Sequence, residues 1–197
     1  MFTAKDVMSL RQRTGAGMME AKRALEETKG DMDKAAEALR VKGIAKADKR
    51  SGKQTSEGVI SSYIHHNGKV GVMVEVNCET DFVARTDDFK NLAKEIALHI
   101  ASAAPIAVDK DGVPAEKVEV ERRIAEEQAK ASGKPENIVQ RMVDGKVDKY
   151  YEQNCLLYQD WVRDPDKKIG DLIKEASAKV GENIQVRRFV RFQMGED

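Results

Sequence analysis

Residues 58–76 read GVISSYIHHNGKVGVMVEV, and the fold turns on this stretch. Val59, Ser61, Tyr63 and His65 alternate with Ile60, Ser62, Ile64 and His66; beyond Asn67-Gly68, the residues Val70, Val72, Val74 and Val76 fall on one face. Two β-rich runs of period two joined by Asn-Gly are the pattern of a hairpin, because both central residues of a type I′ turn need positive φ. A two-stranded hairpin alone is marginal in water. The segment from Ile184 to Phe192 is also strand-like, and it is expected to join as a third, antiparallel partner.

Elsewhere the period is helical. Thr3 with Asp6 opens a first helix with a capping-box pattern, and Val7 and Leu10 give it an apolar side that stops at Thr14-Gly15-Ala16-Gly17. A second helix begins near Met18, with Met18, Ala21, Leu25 and Thr28 in helical spacing, and ends at Gly30. Asp31 caps a third, whose Met32, Ala35, Ala36 and Leu39 recur on one side before Gly43. Residues 44–57, IAKADKRSGKQTSE, lack sustained periodicity and read as a basic linker, helical at most at its start. After the hairpin, 77–85 reads as irregular. A helix capped at Thr86 follows, with the face Phe89, Leu92, Ala93, Ile96, Ala97 and Ile100.

Further helices are expected from Pro114 to Gly133, from Glu136 to Asp144, after Gly145, and after Asp164-Pro165-Asp166 up to Gly181. The reading is an α+β chain: a three-helix module at 1–43, a linker at 44–57, and an α+β core at 58–197.

Composition narrows the function. The 34 basic and 34 acidic side chains cancel, which disfavours a protein that tracks a phosphate backbone, since that affinity comes from clustered cations. The total hides an asymmetry: residues 1–55 carry 13 basic and 8 acidic groups, whereas 111–164 carry 9 and 12. The longest uncharged stretch around the middle, Ile96 to Val108, is too short to cross a bilayer. The N-terminus has an acid in its first turn and no apolar run, so no signal peptide is expected; two cysteines make no framework and are expected to be reduced thiols in the cytoplasm.

Catalytic templates fail one by one. Gly15-Ala16-Gly17 has Glu20 where a dinucleotide fingerprint needs Gly, and no strand precedes it. Ser51-Gly52-Lys53-Gln54 lacks the earlier Gly and the following Ser or Thr of a phosphate loop, and Asp109-Lys110-Asp111-Gly112 reads as a turn rather than a calcium loop. His65 and His66, as strand neighbours, should point to opposite faces, which disfavours a metal site shared with Cys78. No metal, cofactor or enzyme active site is expected.

Two segments stand out. In Thr80-Asp81-Phe82-Val83 an aromatic sits in a polar connection; the residues alone favour Phe82 tucked into the local core, with an exposed partner-binding anchor as the alternative. In Thr14 to Lys22, Met18 reads as core, but Met18 and Met19 cannot both point into one thin core, so one is left for the surface beside Lys22.

Three blocks then carry a resemblance. TGAGMMEAKRAL at 14–25, VEVNCETDFVAR at 74–85 and GENIQVRRFVRF at 181–192, with KPENIV at 134–139 between them, closely resemble the bacterial elongation factor Ts family over nearly the whole chain. The resemblance implies a guanine nucleotide exchange factor for elongation factor Tu, acting in translation elongation without covalent catalysis. It implies that the three helices are a ubiquitin-associated-like module that docks on the nucleotide-binding domain of Tu, with Met18, Met19 and Lys22 as contacts. It also implies that Thr80, Asp81, Phe82 and Val83 dislodge the Mg²⁺ held by Tu, with Phe82 as the wedge. Longer members carry a second core copy and an inserted coiled coil, which this chain lacks; a homodimer joined through a sheet face, binding two Tu molecules, is therefore expected. At 156–162, LLYQDWV, the chain departs from the family's more usual Glu and Pro-Phe at Tyr158 and Asp160-Trp161.

Two rivals remain at this stage. One is a nucleic-acid binder using Lys46, Lys49, Arg50 and Lys53 with Arg187, Arg188 and Arg191; the other is an enzyme using His65, His66 and Cys78.

Overall fold

A computed structural model describes residues 2–131 and 133–196. Met1 and Asp197, the ends of the expected 1–43 and 58–197 spans, lie outside the described residues. The helices are α1 (Ala4–Thr14), α2 (Met18–Glu27), α3 (Met32–Arg50), α4 (Asp81–Ala84), α5 (Asp87–Ala103), α6 (Ala115–Ala131), α7 (Glu136–Asn154) and α8 (Ile169–Val180). Strands β1 (Glu57–Ile64), β2 (Val70–Cys78) and β5 (Gln185–Gln193) form an antiparallel sheet in the order β1-β2-β5, so the expected α+β class and third strand are observed. The short strands β3 (Asp160–Trp161) and β4 (Asp164–Lys168), an antiparallel pair, replace what the sequence reading took as the approach to the last helix. No helix among the described residues is long and apolar enough to cross a membrane.

The hairpin turn differs by one position from its expected form. His65 accepts from the Gly68 N–H at 2.8 Å and donates to the Val70 carbonyl at 2.9 Å, so the turn centres on His66-Asn67. Only Gly68 takes positive φ (+70°), because the Asn67 side chain accepts from the Lys69 N–H at 2.9 Å and holds Asn67 in an Asx-type turn. This also puts His65 and His66 in the turn rather than on a strand, and their ring centroids lie 4.2 Å apart instead of on opposite faces.

The chain packs as two compact units, each built from separate stretches. The first comprises Met1–Ile60, Glu75–Ala93 and Leu172–Val186. Its helical core is made of Val7, Leu10, Ala21, Ala24, Leu25, Ala35 and Leu39, with Phe2, Ala16, Met32 and Ala36 against it. Thr3 and Asp6 form the capping box that starts α1, and Asp31 accepts from the Asp33 and Lys34 N–H groups to start α3. Met18 is not core: it begins α2, where no preceding turn covers it, and the buried face of α2 is Ala21, Ala24 and Leu25. The helix stop expected at Gly43 is corrected, since α3 runs on to Arg50 and Ala47 is buried. Gly43 disfavours a helix interior by only about 1 kcal/mol. A side chain there would stand 3.0 Å from the Ala178 β-carbon, so glycine permits the close approach of α8. Arg40 pairs with Glu175, and Lys174 with Asp48 at 2.9 Å, along the same contact.

The second unit comprises Ser61–Val74, Lys94–Asp171 and Arg187–Asp197. Its α6–α7 hairpin closes on Ala125, Ala129, Val139 and Val143, with Met142 beside them. The two helices expected on either side of Gly145 are one, α7, because Val139, Val143 and Val147 continue a single buried face across the glycine. Lys110 stands over the Tyr151 and Tyr158 rings and pairs with Asp148 at 3.0 Å.

His99, fully buried on α5, lies inside this unit. Its Nδ1 faces the Val162 N–H at 3.4 Å, leaving Nε2 as the donor to Gln159 Oε1 at 3.0 Å; Gln159 in turn donates to the Gln153 carbonyl at 2.7 Å. Burial therefore holds His99 below the ordinary imidazole value of 6.5, against the smaller opposing effect of Gln159. Below that value the unfolded chain takes up a proton that the folded chain refuses, so stability is present above it and falls as the pH drops towards the folded value. Denaturant midpoints measured across this range should decline with acidification in the wild type and decline less in His99→Gln. Parallel profiles would show that His99 contributes nothing to the acid sensitivity.

Candidate functional site

The strand β2 ends at Cys78, and the chain must then leave the sheet and start α4 within two residues. Such a junction exposes backbone N–H groups that need partners. Here they point at a carboxylate far away in sequence. Glu182 Oε2 accepts from the Glu79 N–H at 3.1 Å and the Thr80 N–H at 3.0 Å, and Oε1 accepts from the Thr80 hydroxyl at 2.6 Å. Thr80 is extended (φ −128°, ψ 154°) and caps α4 by position, yet its side chain caps nothing within the helix because its hydroxyl serves Glu182.

Glu79 is tied on its own account. Arg50, the last residue of α3, donates to both of its carboxylate oxygens at 3.1 and 3.0 Å, and the Asn183 N–H donates at 2.6 Å. These donors, Arg50 foremost, hold the Glu79 carboxyl below its usual range. Asn183 is buried and donates its side-chain amide to the Ser51 and Lys53 carbonyls at 3.1 and 2.8 Å. The Cys78 thiol is pushed up to about 11, by burial first and the Glu182 charge second, and it donates to the Thr80 carbonyl at 3.2 Å. A thiol held protonated in this way is a structural donor rather than a nucleophile.

On this anchored base sits α4, a single turn where the sequence reading expected irregular chain. Its Ala84 N–H donates to the Thr80 carbonyl at 3.3 Å, Arg85 pairs with Asp81 at 2.8 Å, and the Thr86 hydroxyl closes back on the Val83 carbonyl at 2.8 Å before capping α5. Ala84 points inwards and is buried. Phe82 points outwards and is 78% exposed, so the residue-only preference for a packed Phe82 is overturned. Leaving such a ring in water forgoes roughly 1.5–3 kcal/mol of burial energy.

The second expected set lies on α2. Met18 is 43% and Met19 67% exposed, so both methionines face solvent rather than one, and Lys22 forms an exposed pair with Glu26 at 3.8 Å. Met8 on α1 is exposed as well and had no sequence signal, since an isolated methionine on a charged helix carries no pattern. Sequence reasoning also missed Arg50, Glu79 and Glu182 as site residues. Only the block 181–192 pointed towards Glu182, and it did so through resemblance.

The rival readings lose support in the structure. Lys46 pairs with Glu20, Arg50 with Glu79 and Arg191 with Glu196, so three of the cations offered for nucleic acid are already neutralised. Among the described residues no group of three or more His, Cys, Asp or Glu side chains is arranged to hold a metal ion.

The family model described as elongation factor TS matches residues 3–196. Elongation factor Ts of Thermosipho melanesiensis is 54% identical over 196 residues, covering 100% of both chains. That of Fervidobacterium nodosum is 55% identical over 195 residues, with 99% of each chain covered, and that of Carboxydothermus hydrogenoformans is 53% identical over all of this chain and 90% of the relative. A match across the whole chain, taken with these full-length relatives, places this protein in the elongation factor Ts family.

Proposed function

We propose that this chain is the guanine nucleotide exchange factor for elongation factor Tu in the cytoplasm, and that it works by wedging Phe82 into Tu beside the Mg²⁺ site. The observation that carries this reading is a large aromatic standing in solvent on a hydrogen-bonded base. In the proposed action, Met18, Met19 and Lys22 dock the helical module on the nucleotide-binding domain of Tu. Thr80, Asp81, Phe82 and Val83 then displace the groups around Mg²⁺. The ion bridges protein and phosphates and neutralises much of their charge, so moving its ligands weakens GDP without breaking a covalent bond.

Coupling of this kind is reciprocal: whatever factor by which the chain weakens GDP binding, GDP weakens binding of the chain. Incoming GTP can then expel the factor and leave Tu charged. The chain needs no cofactor of its own and no nucleic acid or membrane contact for this cycle.

Phe82→Ala tests the wedge. Release of labelled GDP from Tu should slow by on the order of 10-fold or more, as for truncation of an interface hot spot. Stability of the free chain should change by no more than about 0.5 kcal/mol, as for an exposed position. An unchanged release rate contradicts the wedge assignment.

A homodimer that binds two Tu molecules is the second part of the reading. In the second unit the outer sheet face carries Ile64, Met73, Val190, Phe192 and Met194, all exposed, with Phe192 at 68%. Ile64 reaches over Gly71, and the Met194 N–H donates to the Lys69 carbonyl at 2.9 Å, so these side chains belong to adjacent strands of one small surface. An antiparallel sheet with an apolar second face calls for something to cover it, and a second copy offers the same face. The wild type should sediment at twice 21.9 kDa at micromolar concentration, and Phe192→Glu at the single mass. A monomeric wild type would refute the dimer.

A further inference from the structure

We infer that Glu182 is a positioning residue for the Phe82 segment, fixing the direction of α4 from the loop between α8 and β5. This inference rests on the exchange reading above and adds the group that prepares the wedge before Tu arrives.

Three donors from two consecutive residues converge on one carboxylate: the Glu79 N–H, the Thr80 N–H and the Thr80 hydroxyl. Hydrogen bonds to an ionised acceptor are about twice as strong as neutral ones. Two adjacent amides aimed at the same oxygen leave the intervening backbone little freedom, and that backbone sets the start of α4, on which Phe82 is the second residue. Thr80 offers a further sign. A threonine at a helix start ordinarily accepts from the first turn. Here that local bond is given up for one to a residue 102 positions away, so the turn is oriented from outside rather than by its own cap.

Glu182 is itself held. Gly181 donates to the Ser177 carbonyl at 2.9 Å as α8 ends, the Ser177 hydroxyl donates to the Glu182 carbonyl, and the next residue, Asn183, is bonded to Glu79, Ser51 and Lys53. Arg50, donating to both carboxylate oxygens of Glu79, brings the end of α3 into the same network. The helical module and the Phe82 segment therefore share one set of hydrogen bonds within the first unit. A partner that docks on the helices meets Phe82 already aimed.

The test compares two substitutions at one site. Glu182→Ala removes the acceptor; Glu182→Gln keeps an oxygen for the two amides and can donate to the Thr80 hydroxyl, so it serves as the conservative rescue. Hydrogen exchange of the Glu79 and Thr80 amides in the free chain should speed up in Glu182→Ala and stay near wild type in Glu182→Gln. With labelled GDP on Tu, Glu182→Ala should lower the maximal release rate about 10-fold or more, as for other small misplacements of acting groups. The concentration needed for half-maximal rate should change less, because the helical contacts remain, and Glu182→Gln should recover most of the rate.

If Glu182→Ala fails to fold, Glu182→Asp, which shortens the reach by one methylene, takes its place with the same expectations. Wild-type protection and maximal rate in the Ala or Asp variant would overturn the positioning role while leaving the exchange reading intact. A wild-type chain that does not accelerate GDP release would overturn the exchange reading and, with it, any role of Glu182 there, even if the amides behave as expected.

Discussion

The carboxylate of Glu182, accepting from two consecutive backbone amides and a hydroxyl at the end of β2, is the interaction on which the proposed functional face of this chain depends. A strand that stops and turns into a helix leaves N–H groups that neither element can satisfy. In this chain they are met by a residue of the loop after α8. α4 begins directly after these bonds, and its Phe82 faces water. Exposure of a large aromatic is unfavourable for the isolated chain; in the proposed reading its hydrogen-bonded support makes it useful to a partner, because little ordering remains to be done on binding.

The rest of the first unit supports the same end. Its helical core is built mainly from alanines and leucines, which lets α1, α2 and α3 lie close, and α3 extends past Gly43 far enough for Arg50 to reach Glu79. In the proposed exchange cycle no bond is made or broken by this protein. The energy for releasing GDP comes from differential binding to two states of Tu, so shape and preorganisation matter more than any titrating group. The protonated Cys78 and the paired cations fit a surface of that kind.

How much of this could be read from sequence depended on whether the deciding interaction was local. The capping box of Thr3 and Asp6, the cap at Asp31 and the six-residue apolar face of α5 are short-range patterns, and each is present as expected. Gly43 and Gly145 were read as stops because glycine weakens helices, but burial on both sides outweighs a penalty of about 1 kcal/mol. Asn67-Gly68 marks the hairpin, but the turn centres one residue earlier, on His66-Asn67, and an Asx bond to Lys69 removes the need for positive φ at Asn67. Phe82 could not be placed from its neighbours at all. The hydrogen bonds that tie its segment come from Glu182, one hundred residues further along the chain, and only the resemblance of the two blocks to one family put both segments in view.

The central claim is that Glu182 acts through Phe82. A double-mutant cycle in the maximal rate of labelled GDP release from Tu tests it most directly, using Phe82→Ala, Glu182→Ala and the pair. If the carboxylate serves to aim the ring, removing it matters little once the ring is gone, so the double variant should release GDP no more slowly than Phe82→Ala alone. Effects that multiply in full would contradict the account.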